Sequence, residues 1–257
     1  MLALISPAKK LDFQSEVSMP SHTQPDFLKY AKKLVTAARK LSRVELARTM
    51  KLSDKLADLN YKRFKDFSTP FDLSNAKQAA LVFNGDTYIG LQASTLSESD
   101  MSYAQKHLRI LSGLYGLLRP LDLIQPYRLE MGAKFCAPDN TDLYGYLDGQ
   151  LTAAINKITS SHKDGTIINL ASNEYFKAID TKYLSQPVIT PVFKEIKDGE
   201  ARTLGIFAKR ARGSMARFII QKRIENPNAL KDFSYGGYKF CKDLSGDSSW
   251  VFSRPQQ

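Results

Sequence analysis

The sequence has few of the residues that build disulfides and metal sites. Its 257 residues include only two cysteines, Cys136 and Cys241, whose wide separation predicts reduced thiols rather than a disulfide. Its three histidines, His22, His107 and His162, are equally scattered, and neither cysteine belongs to a close pair of ligands. We therefore predict no metal ion and no metal cluster.

Long apolar runs and common cofactor motifs are also absent. No run approaches the roughly 20 residues that span a bilayer, and the apolar stretch near Met1 is too short for a signal-peptide core. We therefore expect a cytoplasmic protein with no membrane partner. There is no Gly-x-Ser-x-Gly elbow, no phosphate loop ending in Gly-Lys-Ser/Thr and no dinucleotide-type glycine fingerprint, and no cofactor is predicted.

What the sequence does have is basic charge, confined to two segments. The formal net charge is +11, from 37 Lys and Arg against 26 Asp and Glu. Residues 29–66 hold twelve basic and four acidic residues, and residues 201–224 hold seven basic residues and no acidic one. Such confinement is typical of a surface that binds a polyanion. Lysine-rich helices that are simply well solvated explain the first segment equally well.

The apolar patterns mix strands and helices without strict βαβ alternation. This favours an α+β fold, a mixed sheet with surrounding helices in a single domain over residues 1–257. Strands are predicted at residues 1–5, 166–170, 188–196, 202–207, 238–242 and 250–253. Helices are predicted at residues 27–41, 44–50, 53–67, 97–107 and 208–224, with a short one from 172 to 179.

The helix at residues 208–224 has one apolar side and a broad basic arc on the other. Arginines outnumber lysines there by four to two, which suits bidentate contact with phosphate. Gly213 lies within the basic arc, where a helical glycine costs roughly 1 kcal/mol relative to alanine. Two explanations for this glycine remain open. Its backbone could approach a phosphate closely, or another helix could pack closely against it. The basic residues on this arc are Lys209, Arg210, Arg212, Arg217 and Arg223.

Two glycines flank an apolar pair in the segment 107–120. Gly113, Leu114, Tyr115 and Gly116 are compatible with a helix-hairpin-helix, whose backbone N–H groups grip a DNA phosphate without reading sequence. Pro120 falls where the second helix of that motif should run. A strand over residues 108–111 that ends in a glycine-rich turn is the alternative, and both remain open.

The same regions contain more polar residues than phosphate binding alone requires. Candidates for catalysis, if the protein is an enzyme, are Lys9, Tyr115, Arg128, Glu130 and Glu174. A polar network that pins loops together is the other interpretation. A deep pocket lined by Lys9, Arg128, Glu130 and Glu174 would favour the enzyme, whereas a long open basic groove would favour a DNA-binding protein.

Four blocks of the sequence resemble motifs of the bacterial YaaA peroxide-stress family. They lie at residues 5–12 (ISPAKKLD), 107–132, 169–176 (NLASNEYF) and 208–213 (AKRARG), in the order and spacing of that family. The resemblance implies a single α+β fold of unusual topology, a role in survival of hydrogen peroxide stress and lowered free intracellular iron. It also implies a helix-hairpin-helix and a basic cleft that binds duplex or bubble-like DNA.

The leading hypothesis is therefore a DNA-binding protein of the peroxide response that contacts phosphates without sequence preference and protects DNA. Its alternative is an enzyme that acts on a nucleotide or nucleic-acid base. The predicted DNA contacts are Gly113, Leu114, Tyr115, Gly116, Arg119, Lys209, Arg210, Arg212, Gly213 and Arg217.

Overall fold

A computed structural model describes residues 1–16 and 19–256. Its strands are β1 (Leu2–Ile5), β2 (Lys77–Gln78), β3 (Leu108–Ser112), β4 (Gly116–Leu118), β5 (Leu123–Ile124), β6 (Ile167–Leu170), β7 (Val188–Lys197), β8 (Glu200–Arg202), β9 (Lys239–Phe240) and β10 (Ser249–Pro255). Its helices are α1 (Leu28–Ala38), α2 (Arg43–Met50), α3 (Asp54–Asp66), α4 (Ala79–Val82), α5 (Asp86–Leu91), α6 (Glu98–His107), α7 (Leu143–Tyr146), α8 (Gln150–Thr159), α9 (Asn173–Phe176) and α10 (Gly205–Lys222).

The main sheet is mixed, which confirms the predicted α+β class. Its order is β4-β3-β1-β6-β7-β10-β9, and β8 pairs with β7. The five neighbours from β3 to β10 run parallel, whereas β4, β8 and β9 pair antiparallel at its borders. All four residues of β1 are buried, as expected for a parallel strand covered on both faces.

Most predicted helices are confirmed with small changes at their ends. Ser97 caps α6 through a reciprocal pair of hydrogen bonds with Asp100, and Ser42 caps α2 in the same way with Glu45. Ser53 stands at the N-cap position of α3, but its hydroxyl makes no capping hydrogen bond. In the part of the chain that the structure describes, no helix has the length and apolar character needed to cross a membrane.

The strand predicted at residues 202–207 is wrong. β8 ends at Arg202 and α10 begins at Gly205, so residues 205–207 form the first turn of the helix. Ile206 and Phe207 favour strands locally, but the Phe207 ring lies 5.2 Å from the Arg254 guanidinium on a distant strand. Tertiary packing therefore overrides the local preference.

The helix-hairpin-helix prediction is also wrong, and the strand-turn alternative is confirmed. β3 and β4 pair antiparallel around a turn at residues 113–115, so the flanking segments are strands. Gly116 has φ +65°, which explains why glycine is needed there. A Cβ on Gly116 would lie 3.1 Å from the Phe27 ring, so this glycine faces the interior of the fold.

Candidate functional site

The carboxyl ends of two neighbouring parallel strands, β1 and β6, form the floor of a cavity at one edge of the sheet. The chain leaves β1 at Ser6 and β6 at Ala171, and β1 lies between β3 and β6 in the sheet. Ligands of open parallel sheets bind in the crevice outside the carboxyl ends of the strands, where strand order reverses. Here that crevice is a cavity of about 490 Å³. Its chemically active lining residues are Ser6, Lys9, Lys10, Asp86, Tyr88, Tyr127, Arg128, Glu130, Ser172, Glu174, Tyr175, Lys209 and Arg212.

Hydrogen bonds between loops hold the floor in place. The Ser172 backbone N–H donates to Ser6 Oγ at 2.8 Å, which ties the ends of β1 and β6 together. The Tyr88 hydroxyl donates to the Ser6 carbonyl at 3.1 Å and links the start of α5 to the same point. The Ser6 loop is therefore fixed from two sides, which keeps the neighbouring Lys9 at the cavity.

Glu130 is the centre of the charged lining. Its Oε1 lies 3.0 Å from Arg128 Nε and 3.4 Å from Lys9 Nζ. The side chain is 13% exposed, so these two cations compensate a carboxylate that is mostly removed from water. Both contacts fall on Oε1, and within the described ranges no hydrogen bond to Oε2 occurs. One carboxylate oxygen is thus left for a ligand.

Glu174 stands on the neighbouring wall and is held by a backbone group. Its Oε1 accepts a hydrogen bond of 3.0 Å from the Gly132 N–H. A Cβ on Gly132 would lie 3.3 Å from the same oxygen, so the glycine permits this approach. The loop that follows the 127–130 wall is thereby fastened to α9.

Buried tyrosines close the bottom of the cavity. Burial raises the pKa of Tyr127, and the nearby Glu130 charge raises it further, although a 2.7 Å hydrogen bond with Ser112 lowers it. Burial likewise raises the pKa of Tyr88, with Tyr127 and Tyr175 adding to the effect. These hydroxyls stay protonated at neutral pH and serve as hydrogen-bond donors rather than as bases.

Helix α10 brings two basic residues into the cavity and uses three elsewhere. Lys209 and Arg212 line the cavity. Arg210 Nε lies 3.3 Å from Asp86, and Arg217 donates to the Leu91 and Gln92 carbonyls at the end of α5. Arg223 lies 2.7 Å from Asp100 at the start of α6. Much of the basic arc thus neutralises neighbouring helix ends rather than forming a free surface.

Gly213 lies at a helix crossing. A Cβ there would lie 1.7 Å from the Thr87 carbonyl oxygen, and one on Gly90 would lie 2.0 Å from the Arg210 carbonyl oxygen. The two glycines let α5 and α10 pack backbone to backbone. Of the two interpretations of Gly213, close helix packing is the one that the structure shows.

The other predicted contacts do not reach the cavity. Gly113, Leu114, Tyr115 and Gly116 are all buried, since they form the turn between β3 and β4. The Tyr115 hydroxyl accepts a hydrogen bond from the Gln125 N–H at 3.0 Å and does not line the cavity. Arg119 pairs with Asp122 at 3.0 Å and with Asp26 at 3.2 Å.

The two basic segments are placed differently with respect to the cavity. Lys209 and Arg212 of the second segment line it, whereas none of residues 29–66 is among the lining residues. Burial lowers the pKa of Arg63 on α3, and the charge of Arg128, which does line the cavity, lowers it further.

Sequence reasoning missed the residues that α5 contributes. Asp86, Thr87 and Tyr88 line the cavity directly after the Asn84-Gly85-Asp86 turn. The position of this turn directly after an apolar run is the signal in the sequence that could have located these residues. Across residues 1–16 and 19–256, no three His, Cys, Asp or Glu side chains cluster in a way that could hold a metal ion.

The chain is similar over its whole length to proteins of one family. Residues 1–244 match the family described as peroxide stress protein YaaA. The chain is 50% identical to a UPF0246 protein of Alteromonas mediterranea, covering 100% of this chain and 99% of the relative. It is 49% identical to one of Burkholderia vietnamiensis, covering 99% and 98%, and 50% identical to one of Magnetococcus marinus, covering 99% of each.

Proposed function

The chain belongs to the family of the peroxide stress protein YaaA, and we propose that it acts on a nucleotide or nucleic-acid base bound in the cavity. The observation that carries the proposal is the gathering of Lys9, Arg128, Glu130 and Glu174 around one cavity. A cavity of about 490 Å³ is large enough for a nucleotide-sized ligand. Such a reaction belongs in the cytoplasm, where nucleotides and DNA are found.

Glu130 is the residue best placed to move a proton. Lys9 and Arg128 fix Oε1, so that the carboxylate is oriented before a ligand arrives. Its second oxygen is then available to accept a hydrogen bond or a proton from an amino or imino group of a base. Tyr127 lines the same cavity and can offer its hydroxyl, whereas the Tyr88 hydroxyl already donates to the Ser6 carbonyl.

Glu130→Gln is expected to abolish turnover while keeping the ligand bound. Glutamine has the shape of glutamate but is a poor proton acceptor, and general acid–base catalysis contributes about 10²–10⁴-fold in rate. The measurement is mass spectrometry of products from nucleosides, nucleotides and short oligonucleotides, with and without peroxide treatment. Unchanged turnover in the glutamine variant would remove Glu130 from the reaction, and an absence of any product would reject catalysis.

DNA binding is the second candidate, because Lys209 and Arg212 of the second basic segment line the cavity and most lysines of the first basic segment are exposed. In this proposal duplex or bubble-like DNA contacts Lys209, Arg212 and the α1–α3 segment through its phosphates, and any lowering of free iron is indirect. The protein would shield DNA rather than hold iron.

Replacing Lys209 and Arg212 together with alanine is expected to weaken every DNA ligand alike. The slope of log affinity against log salt should flatten by about 2 between 50 and 200 mM salt, because each phosphate contact contributes about one. Lys222→Ala, which removes an exposed charge from the far end of α10, serves as the control. An unchanged slope in the double variant would place the DNA contacts elsewhere.

A further inference from the structure

Arg212 differs from the other arginines of α10. Arg210, Arg217 and Arg223 each have an acidic or carbonyl partner within 3.3 Å. Arg212 is half-buried at the cavity, and burial lowers the pKa of its guanidinium. Among the described residues it makes no ion pair, and neither do Lys10 and Lys209 on the same lining. Removing a guanidinium from water without a partner costs free energy, so we expect an anion to bind beside Arg212.

We propose that Arg212, assisted by Lys209, binds a phosphate group of the ligand, and this inference rests on the proposed function of the cavity. A guanidinium offers paired N–H donors that match two oxygens of a phosphate. Lys209, one turn before Arg212 on the helix, adds a second charge. Two unpaired cations match the nearly two negative charges of a terminal phosphate.

The other lining residues determine the orientation of the bound ligand. Glu130 and Glu174 are acceptors, and the third carboxylate of the lining, Asp86, is paired with Arg210 at 3.3 Å. A phosphate facing these carboxylates would be repelled, whereas a base with amino and imino donors would be bound. The phosphate therefore lies toward α10 and the base toward Glu130. A site with this arrangement should bind a nucleotide more tightly than a nucleoside or an inorganic anion.

The test compares matched ligands that differ only in the phosphate. Calorimetric titration of the full chain in 50 mM salt uses nucleosides and their 5′-monophosphates in one arm. A second arm uses a short single-stranded oligonucleotide with and without a 5′-phosphate. We expect the phosphorylated ligand to bind at least tenfold more tightly in one of these arms, which also identifies free nucleotide or a nucleic-acid end as the source of the phosphate.

Arg212→Met should remove this preference, and Arg212→Lys, which keeps the charge without the paired donors, should retain part of it. Lys222→Met has the same loss of charge on the same helix but away from the cavity, and it should keep the preference in full. Equal binding of phosphorylated and unphosphorylated ligands, or a preference that survives Arg212→Met in a folded variant, overturns the inference while the proposed function stands. Failure of every ligand to bind rejects the proposed function as well.

Discussion

Replacing Arg254 with methionine is expected to lower the free energy of unfolding by about 3–5 kcal/mol. Arg254 on β10 lies directly opposite Glu195 on β7, and its Nε is 3.0 Å from Oε1 and 2.9 Å from Oε2 of that carboxylate. Glu195 is 1% exposed and also accepts a hydrogen bond from the Tyr238 hydroxyl. Methionine would leave a buried carboxylate without its cation, and that desolvated charge is the source of the loss.

An exposed ion pair on β8, the strand that pairs with β7 in a hairpin, provides the matched control. Glu200 and Arg202 are 65% and 73% exposed, so Arg202→Met should cost less than about 1 kcal/mol. Replacing both buried partners, as in Glu195→Leu with Arg254→Met, should restore much of the stability because no unpaired charge remains. Urea unfolding measures all three variants. A cost for Arg254→Met similar to that of the exposed control would show that the buried pair is not what holds β7 to β10.

Gly213→Ala is expected to destabilise the protein by about 3 kcal/mol or more, or to prevent folding. The added Cβ would lie 1.7 Å from the Thr87 carbonyl oxygen, and 2.7 Å from its carbon, so α5 and α10 would have to separate. Backbone atoms on both sides leave no flexible side chain to yield. Because Thr87 and Arg212 line the cavity from these two helices, separation would also disturb the site.

Gly205→Ala on the same helix gives the opposite expectation. Nothing lies within 4 Å of a Cβ at this position, so alanine should stabilise the protein by about 0.4–1 kcal/mol through its effect on the unfolded chain. Urea unfolding and thermal melting compare the two. If Gly213→Ala kept full stability and lost only affinity for phosphate-containing ligands, Gly213 would contact the ligand rather than the neighbouring helix.

The features of the fold that depend on local chemistry were predictable from the sequence. The capping box of Ser97 and Asp100 marks the start of α6, and the apolar run at residues 1–5 marks β1. The Asp198-Gly199 turn joins β7 and β8 with both residues at positive φ. Each of these signals involves residues that are adjacent along the chain, so no knowledge of the tertiary structure was needed.

Features that depend on distant partners were not predictable. Glu195 lies on β7 between the half-buried Lys194 and the exposed Ile196, and no neighbouring residue indicates that Arg254 is its partner. Gly213 left two interpretations open because its partner, Thr87, comes from another helix. The basic arc suggested a free surface because the acceptors of Arg210, Arg217 and Arg223 lie far away in the sequence.

The candidate site was predicted in part. The polar character of their sequence blocks selects Lys9, Arg128, Glu130 and Glu174, and the structure brings these four residues to one cavity. The same reasoning selects Tyr115, but the position of Tyr115 in the turn after β3 buries it away from the cavity. Loop residues can be recognised as a class, whereas the direction of each side chain depends on the turn that carries it.

The most direct test of the proposed function is an experimental structure of the chain with a nucleoside 5′-monophosphate and, separately, with a short single-stranded oligonucleotide. We expect electron density for the ligand inside the cavity, with its phosphate at Arg212 and its base at Glu130. Ligand bound along the α1–α3 surface, with the cavity unoccupied in both structures, would contradict the proposed function.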